Sequence, residues 1–585
     1  MTAEADELLP VWAGPALLVA SFVSLAMWSW GKWPDLRVDF GRELYIPWQL
    51  AQGKVLYRDI ATNYGPLSPY FNALAFRALG TSVRTLVFLN LSILAAMTAL
   101  CYRMLAEECG RLAATAACLV LLGVFSFSQY VGIGNSNFVC PYAHEATHGV
   151  ALALAMIFLL SRRQERLERW RCAAAGGCFG LLFLTKPETA LAAAAAAAVG
   201  LGYRRAAGPA LAFLGGALVA PATFLLFFWG RMPLGQSVRA VLGAWDPRLG
   251  RAAWSSPYYR TILGLDHPGA HLWLMGKASL AFAGVCAAAA AADLRSVAAA
   301  RLRPWVGLAL AAALIWAFPP NDPLPWRRLA FALPAASLAA LALALGSGRR
   351  TLVLWSVFAT VLLAKMGLHP VFYHVGFYLA MPATVLLTAC LAGVVPRVLA
   401  VRAGAGRVFQ GVVLGGVCAF LAAHLRLAHG YYSMKTLPMG SGGDAMVGYS
   451  PDVEIADAAM GAALERIEAL APREATLAAL PAGAMLNYLA RRPNPTRHLD
   501  MTPFDLDARG EEAVLRDFRL SPPDFIALVH ADHAEFGVGP FGAEAGPGRR
   551  LLEWVNASYA PLEVILQEPF ATRGFGIKLL ERRRH

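Results

Sequence analysis

The sequence predicts a polytopic α-helical membrane protein with about thirteen transmembrane helices and a C-terminal soluble α/β domain. Three observations predict it. Hydrophobic residues make up 57% of the 585 and charged residues only 15%, with a mean hydropathy of +0.50, more apolar surface than a soluble core absorbs. Apolar runs recur at the ~20-residue length that crosses hydrocarbon. Composition then shifts near Gly430, beyond which Pro, Asp and Glu rise and no run is long enough to span.

The first apolar run, Leu8 to Trp30, follows Glu4, Asp6 and Glu7 rather than a basic segment, so it reads as a retained helix and not a signal peptide. Further spans are expected near residues 85–105, 112–128, 147–160, 172–184, 188–202, 208–229, 272–292, 304–318, 329–345, 351–368, 377–395 and 408–424. Short loops carry Arg162 to Arg171, Arg204 and Arg205, Arg295 to Arg303, Arg349 and Arg350, and Arg397 to Arg407. These fall on one side of the alternating count, the cytoplasmic side by the positive-inside rule. The first outer loop (31–84) and the tail then face outward, which gives a membrane domain 1–429 and an extracytoplasmic domain 430–585. The expected location is a bacterial inner (plasma) membrane, with the site and the C-terminal domain on the periplasmic side.

Residues 172–203 must leave and regain the Arg-rich side within one short stretch, so two half-length helices are expected. Thr185-Lys186-Pro187-Glu188 is their turn, and ionisable groups at that depth point to function. In the tail, strands are expected at Ala475 to Leu480, Asp524 to Val529, Leu562 to Gln567 and Gly576 to Leu580, with helices at Asp452 to Ala471 and Glu511 to Arg519. The tail holds 16 Lys+Arg against 21 Asp+Glu, whereas residues 1–429 hold 35 against 17. The net +13 therefore reflects membrane topology and anionic ligands, and no nucleic acid is expected as a partner. All nine cysteines lie between Cys101 and Cys418, in or beside the spans, so no disulfide framework is implied.

The first outer loop concentrates carboxylates: Asp35, Asp39, Glu43 and Asp59. Its order of motifs is Val38-Asp39-Phe40-Gly41-Arg42-Glu43, then Gly53-Lys54-Val55-Leu56-Tyr57, then Tyr64-Gly65-Pro66-Leu67, with Leu184-Thr185-Lys186-Pro187 in the hairpin. In this order and placement the chain resembles the glycosyltransferases of the GT-C fold that take sugar from a polyprenyl-phosphate carrier, among them protein O-mannosyltransferases and lipid A aminoarabinose transferases. The resemblance covers roughly residues 8–425. It implies a GT-C-like fold, a lipid-linked sugar donor and a hydroxyl acceptor on a lipid, glycan or protein. One departure is that Phe40, not a second acid, follows Asp39, which leaves Glu43 as the nearest carboxylate.

A sugar on a lipid phosphodiester has a good leaving group, which needs cations or hydrogen bonds, while the acceptor hydroxyl needs a base. Asp39 is the expected base of an inverting hexosyl or pentosyl transfer, with Glu43 one turn on along the same face. Lys186 is the leading group for the donor phosphate, followed by Arg327 and Arg328 at the outer end of a span, and by Arg58. Asp59, Tyr64, His144, Glu145 and His374 are expected in the substrate pocket.

His144-Glu145-Ala146-Thr147-His148 matches the H-E-x-x-H pattern, whose histidines share a helix face. Alone it points to a metalloprotease. In the transferase reading it shapes the pocket, with Asp39, His144 and Glu145 able to share a divalent ion; no cofactor is otherwise required. The other alternative is a lipid-linked glycan flippase or transporter, against which stands the lack of repeated halves and of polar groups on both sides. Trp245, Trp254, Tyr258, Tyr259, Trp326, Phe372, Tyr373 and Tyr378 crowd the outer loops and read as an interfacial belt.

Overall fold

The computed structural model describes residues 10–162, 168–204, 207–246, 250–251, 254, 256–293, 327–403, 406–544, 546–571 and 574–583. Within them, every stretch expected to span is helical; the one at 304–318 lies outside the described residues. Among the described residues, six helices are long and apolar enough to cross a membrane: Val83–Cys109, His144–Ser161, Ala207–Trp229, Pro268–Ala292, Gly376–Ala400 and Arg407–Ser433. The first run forms the shorter helix Ala13–Trp28.

The hairpin takes the form its length demanded. Helices Glu168–Phe183 and Pro187–Gly202 are joined by Leu184, Thr185 and Lys186, and Pro187 starts the second helix where its missing N–H costs nothing. Lys186 is buried at this turn, 4% exposed.

The first outer loop is built rather than loose. Asp35 is buried and accepts hydrogen bonds from the backbone N–H of Arg37 (3.0 Å), Val38 (3.0 Å) and Gly134 (3.0 Å). Asn135 completes the clasp, accepting from Asp35 N–H (2.8 Å) and donating to the Val38 carbonyl (2.7 Å). Helix Phe40–Ala51 follows, nearly all of it buried, and then helix Leu67–Leu79.

The long helix Arg407–Ser433 runs past residue 430, and strand β1 (Lys435–Met439) begins at once, pairing antiparallel with β2 (Met446–Tyr449). The main sheet has the order β3-β4-β6-β5, from β3 (Leu477–Leu480), β4 (Phe525–Val529), β5 (Tyr559–Ile565) and β6 (Ile577–Arg582). Only the β3–β4 pair is parallel. The four strands and both helices expected in the tail are present with shifted ends. The β1–β2 hairpin and helices Ala484–Leu489, Pro503–Arg509 and Arg549–Ser558 were not anticipated.

The tail packs directly on the first outer loop, and one continuous hydrophobic core runs through both. A methyl group at Gly41 would collide with the backbone of Met485, so only glycine lets the two helices meet here. Tyr45 Oη accepts from Asn494 N–H (2.7 Å), Ala61 N–H donates to the Arg497 carbonyl (2.8 Å), and Asn63 bridges Asp505 (2.9 Å) and Arg509 (2.8 Å).

Candidate active site

Asp39 occupies the residue before helix Phe40–Ala51, the usual place of a capping carboxylate, but its side chain caps no backbone N–H there. Its backbone lies at φ 58°, a conformation L residues seldom adopt, and His374 (φ 52°) and Asn135 (φ 59°) share that property. Positive φ at non-glycine residues costs on the order of 1–3 kcal/mol each and persists where the surroundings enforce it. Here the Asn135–Val38 clasp does so for Asp39.

The Asp39 carboxylate is turned toward Arg42, 3.0 Å away. Arg42 also reaches Glu43 (3.6 Å) and Asp500 (3.2 Å), donates to the Tyr142 carbonyl (3.2 Å), and lies over the Tyr64 ring (5.1 Å). Burial raises the Asp39 pKa above its ordinary value, opposed by Arg42 and assisted by Glu43, while Lys186 opposes. Asp39 and Lys186 thus feel each other although 147 residues separate them in sequence, and Arg42 and Lys186 both meet Tyr64 and Tyr142.

Lys186 sits in a box of three tyrosines. Its ammonium lies 4.8, 4.5 and 4.9 Å from the ring centres of Tyr64, Tyr142 and Tyr378, and donates to Tyr142 Oη at 2.8 Å. The box is held from behind: Tyr378 Oη donates to Glu188 (2.6 Å), and His374 stacks on Tyr142 (6.0 Å, 10°) while meeting Tyr258 Oη at 3.4 Å. Burial, and to a lesser degree Lys186, lower the His374 pKa to about 4.

Two of the sequence motifs meet here. Gly65 N–H donates to the Thr185 carbonyl and Leu67 N–H to the Leu184 carbonyl, each at 3.1 Å, so Tyr64-Gly65-Pro66-Leu67 pairs with the hairpin turn. A side chain at Gly65 would collide with the Leu184 carbonyl, which explains the glycine.

Glu43, 7% exposed, is the second carboxylate of the recess and acts on a different helix from its own. It accepts from His144 N–H (2.9 Å) and pairs with His144 Nδ1 (2.8 Å), capping helix His144–Ser161 from outside. That bond places the ring proton on Nδ1, leaving Nε2 facing away from Glu43. His148 Nδ1 meets Ser68 Oγ at 2.8 Å. Among the described residues, His144 Nε2, His148 Nε2 and one Glu145 oxygen are buried without a hydrogen-bond partner. Among the same residues, no three His, Cys, Asp or Glu side chains converge as a metal-binding set.

The other expected site residues divide. Tyr64, His144, Glu145 and His374 join the Asp39–Lys186 neighbourhood, where Glu145 feels the charges of Glu43, Lys186 and Arg42. Arg58 and Asp59 instead pair with each other at 2.8 Å near the surface, with Asp59 also accepting from Val55 N–H (2.8 Å) and Arg58 donating to the Arg231 carbonyl (3.2 Å). Arg327 and Arg328 begin the short helix Arg327–Ala330, which packs against helix Pro268–Asp293. The Pro319 to Trp326 segment before it lies outside the described residues.

Sequence reasoning missed Asp500, the tyrosine box and the bridging part of Arg42. Tyr378 carried a signal, an aromatic beside a polar loop, which the belt reading absorbed, whereas Tyr142 was not singled out. Asp500 carried none, because its place depends on how the tail docks.

Fold and site together define a polytopic membrane protein whose C-terminal α/β domain brings Asp500 to Arg42, beside a lysine held among three tyrosines. No protein-family model and no curated protein matches the chain. Among solved structures it is similar to the Archaeoglobus fulgidus oligosaccharyltransferase in a complex with zinc and sulfate, at 13% identity and TM-score 0.49 over 88% of this chain and 68% of that one. It is also similar to ArnT from Cupriavidus metallidurans bound to undecaprenyl phosphate, at 12% identity and TM-score 0.42 over 97% of this chain and 98% of that one.

Proposed function

We propose that the protein is a membrane glycosyltransferase that moves one sugar from a polyprenyl-phosphate donor to a hydroxyl acceptor, with inversion, on the outer face of the membrane. The observation that carries this reading is the meeting of Asp39, Arg42 and Lys186 in one recess at the junction of the apolar helices and the outer domain. Asp39 takes the proton of the acceptor hydroxyl as its oxygen attacks the anomeric carbon. The bond from that carbon to the phosphate oxygen breaks on the opposite face, and polyprenyl phosphate leaves as an anion.

Lys186 and the Tyr64 and Tyr142 hydroxyls are the groups suited to receive that anion, since a buried ammonium acts strongly on charge developing beside it. Glu43 holds Arg42 and His144 in place. The lipid tail remains in the bilayer while the acceptor arrives from water, which accounts for a chamber placed between spans and soluble domain.

The test is direct. Purified protein in lipid nanodiscs, offered a panel of synthetic polyprenyl-phosphate sugars, should release polyprenyl phosphate. Asp39→Asn should lower that release by about 10²-fold or more at unchanged folding. Lys186→Met should lower kcat by a similar factor. Full turnover in Asp39→Asn would remove Asp39 from the mechanism.

A further inference from the structure

We propose that Asp500, carried by the C-terminal domain, is a positioning residue for the Asp39 base: it shares the Arg42 guanidinium and keeps that cation from neutralising Asp39. The proposal rests on reading the recess as a transferase site.

One nitrogen starts the argument. Arg42 Nη1 stands 3.0 Å from Asp39 Oδ1 and 3.2 Å from Asp500 Oδ2, while Nε lies 3.6 Å from Glu43. A single positive charge therefore faces three carboxylates. An aspartate paired alone with an arginine is held ionised and is a poor base, because the nearby cation lowers its affinity for a proton. A second carboxylate on the same cation reverses that effect.

The charged groups facing Asp39 are Arg42 and Glu43 from its own helix, Lys186 from the hairpin, and Asp500 and Glu535 from the outer domain, with the phenols of Tyr64, Tyr142, Tyr258 and Tyr259 around them. Those facing Asp500 are Arg42, Asp505, Asp39 and Arg509. Burial raises Asp500 to about 6, with Arg42 opposing and Asp505 and Asp39 assisting.

The segment bearing Asp500 is fixed from several sides. Thr502 caps helix Pro503–Arg509, Asn63 of the first loop bridges Asp505 and Arg509, and Phe504 meets the Tyr259 ring at 5.3 Å. Asp500 is thus delivered to Arg42 by an ordered interface. The outer domain completes the electrostatics of the base as well as covering it.

The experiment compares wild type, Asp500→Asn, Asp500→Glu and Tyr45→Phe. The last removes a docking hydrogen bond to Asn494 without touching Arg42. Two readouts are taken from about pH 4.5 to about 8.5: donor turnover, and carbodiimide labelling of the Asp39 carboxyl followed by mass spectrometry, which reports its protonated fraction without turnover. In Asp500→Asn, Arg42 is freed toward Asp39. The labelling midpoint should fall by ~0.5 pH unit or more, and the acid limb of kcat should move with it. The kcat plateau should drop roughly tenfold at unchanged donor KM, with Asp500→Glu restoring both. Tyr45→Phe should lower thermal stability and leave the midpoint in place. An Asp500→Asn midpoint equal to wild type would overturn the proposal, making Asp500 a docking contact alone. Absence of donor release by wild type, with the midpoint shift intact, would instead sink the transferase reading while upholding the Asp500–Arg42–Asp39 coupling.

Discussion

Replacing Gly65 by alanine should uncouple the first outer loop from the lysine hairpin, and the size of the effect can be worked from the contacts. The new methyl group would lie inside contact distance of the Leu184 carbonyl oxygen and carbon and of the Thr185 carbonyl oxygen, all backbone atoms that cannot rotate aside. The two chain segments must separate by about 1 Å to restore ordinary contact. That separation stretches both 3.1 Å hydrogen bonds, from Gly65 to Thr185 and from Leu67 to Leu184. At about 1 kcal/mol for each bond and ~1–3 kcal/mol for overpacking, the loss of stability is roughly 3–5 kcal/mol. Tyr64 is next in sequence and forms one wall of the Lys186 box at 4.8 Å, so the ammonium shifts with it. Misplacement by about 1 Å costs ~10²-fold in turnover. Thermal unfolding in nanodiscs and donor turnover measure the two effects. Gly65→Ala with wild-type midpoint and wild-type kcat would refute the pairing of these motifs.

Three further outcomes follow from the same geometry. Asp35→Ala strips acceptors from three backbone N–H groups in the buried clasp under Asp39, and should destabilise the protein by about 3 kcal/mol in a denaturation assay. Arg58→Ala removes a pair that is largely solvated, so stability should change by less than about 1 kcal/mol and turnover should stay within twofold. The Asp39 pKa is raised in the folded state, so the group is protonated, and useless as a base, at a higher pH than an ordinary aspartate. Activity should therefore be lost as pH falls through a value above that of an ordinary aspartate, and an acid limb of kcat/KM at or below that ordinary value would contradict the direction.

The class of fold was legible because hydrocarbon thickness imposes a length that composition alone reveals, and the hairpin was legible because both its ends carry arginine. Lys186 was reachable for the same reason: a lysine at an apolar turn has few bland explanations. The assignment of Glu43 needed coordinates. Its spacing placed it one turn from Asp39 on the same face, but nothing in the sequence showed that its carboxylate also crosses to cap helix His144–Ser161, a contact over 101 residues. The H-E-x-x-H spacing places two histidines on one helix face, but not the partners of their rings: the structure turns His144 Nδ1 to Glu43 and His148 Nδ1 to Ser68.

Arg42 connects these findings. In sequence it is one more loop arginine, yet its side chain touches Asp39, Glu43, Asp500, the Tyr142 carbonyl and the Tyr64 ring. A lysine could not make these contacts together, since a compact ammonium lacks the planar fork that reaches carboxylates on different sides at once. Arg42→Lys should therefore behave almost as a deletion: the surviving charge would settle on one carboxylate and leave the others without the guanidinium. The expected loss is about 2–4 kcal/mol of stability with turnover down by ~10²-fold or more. A variant that keeps both would show that charge alone, without the shape of the guanidinium, organises the recess.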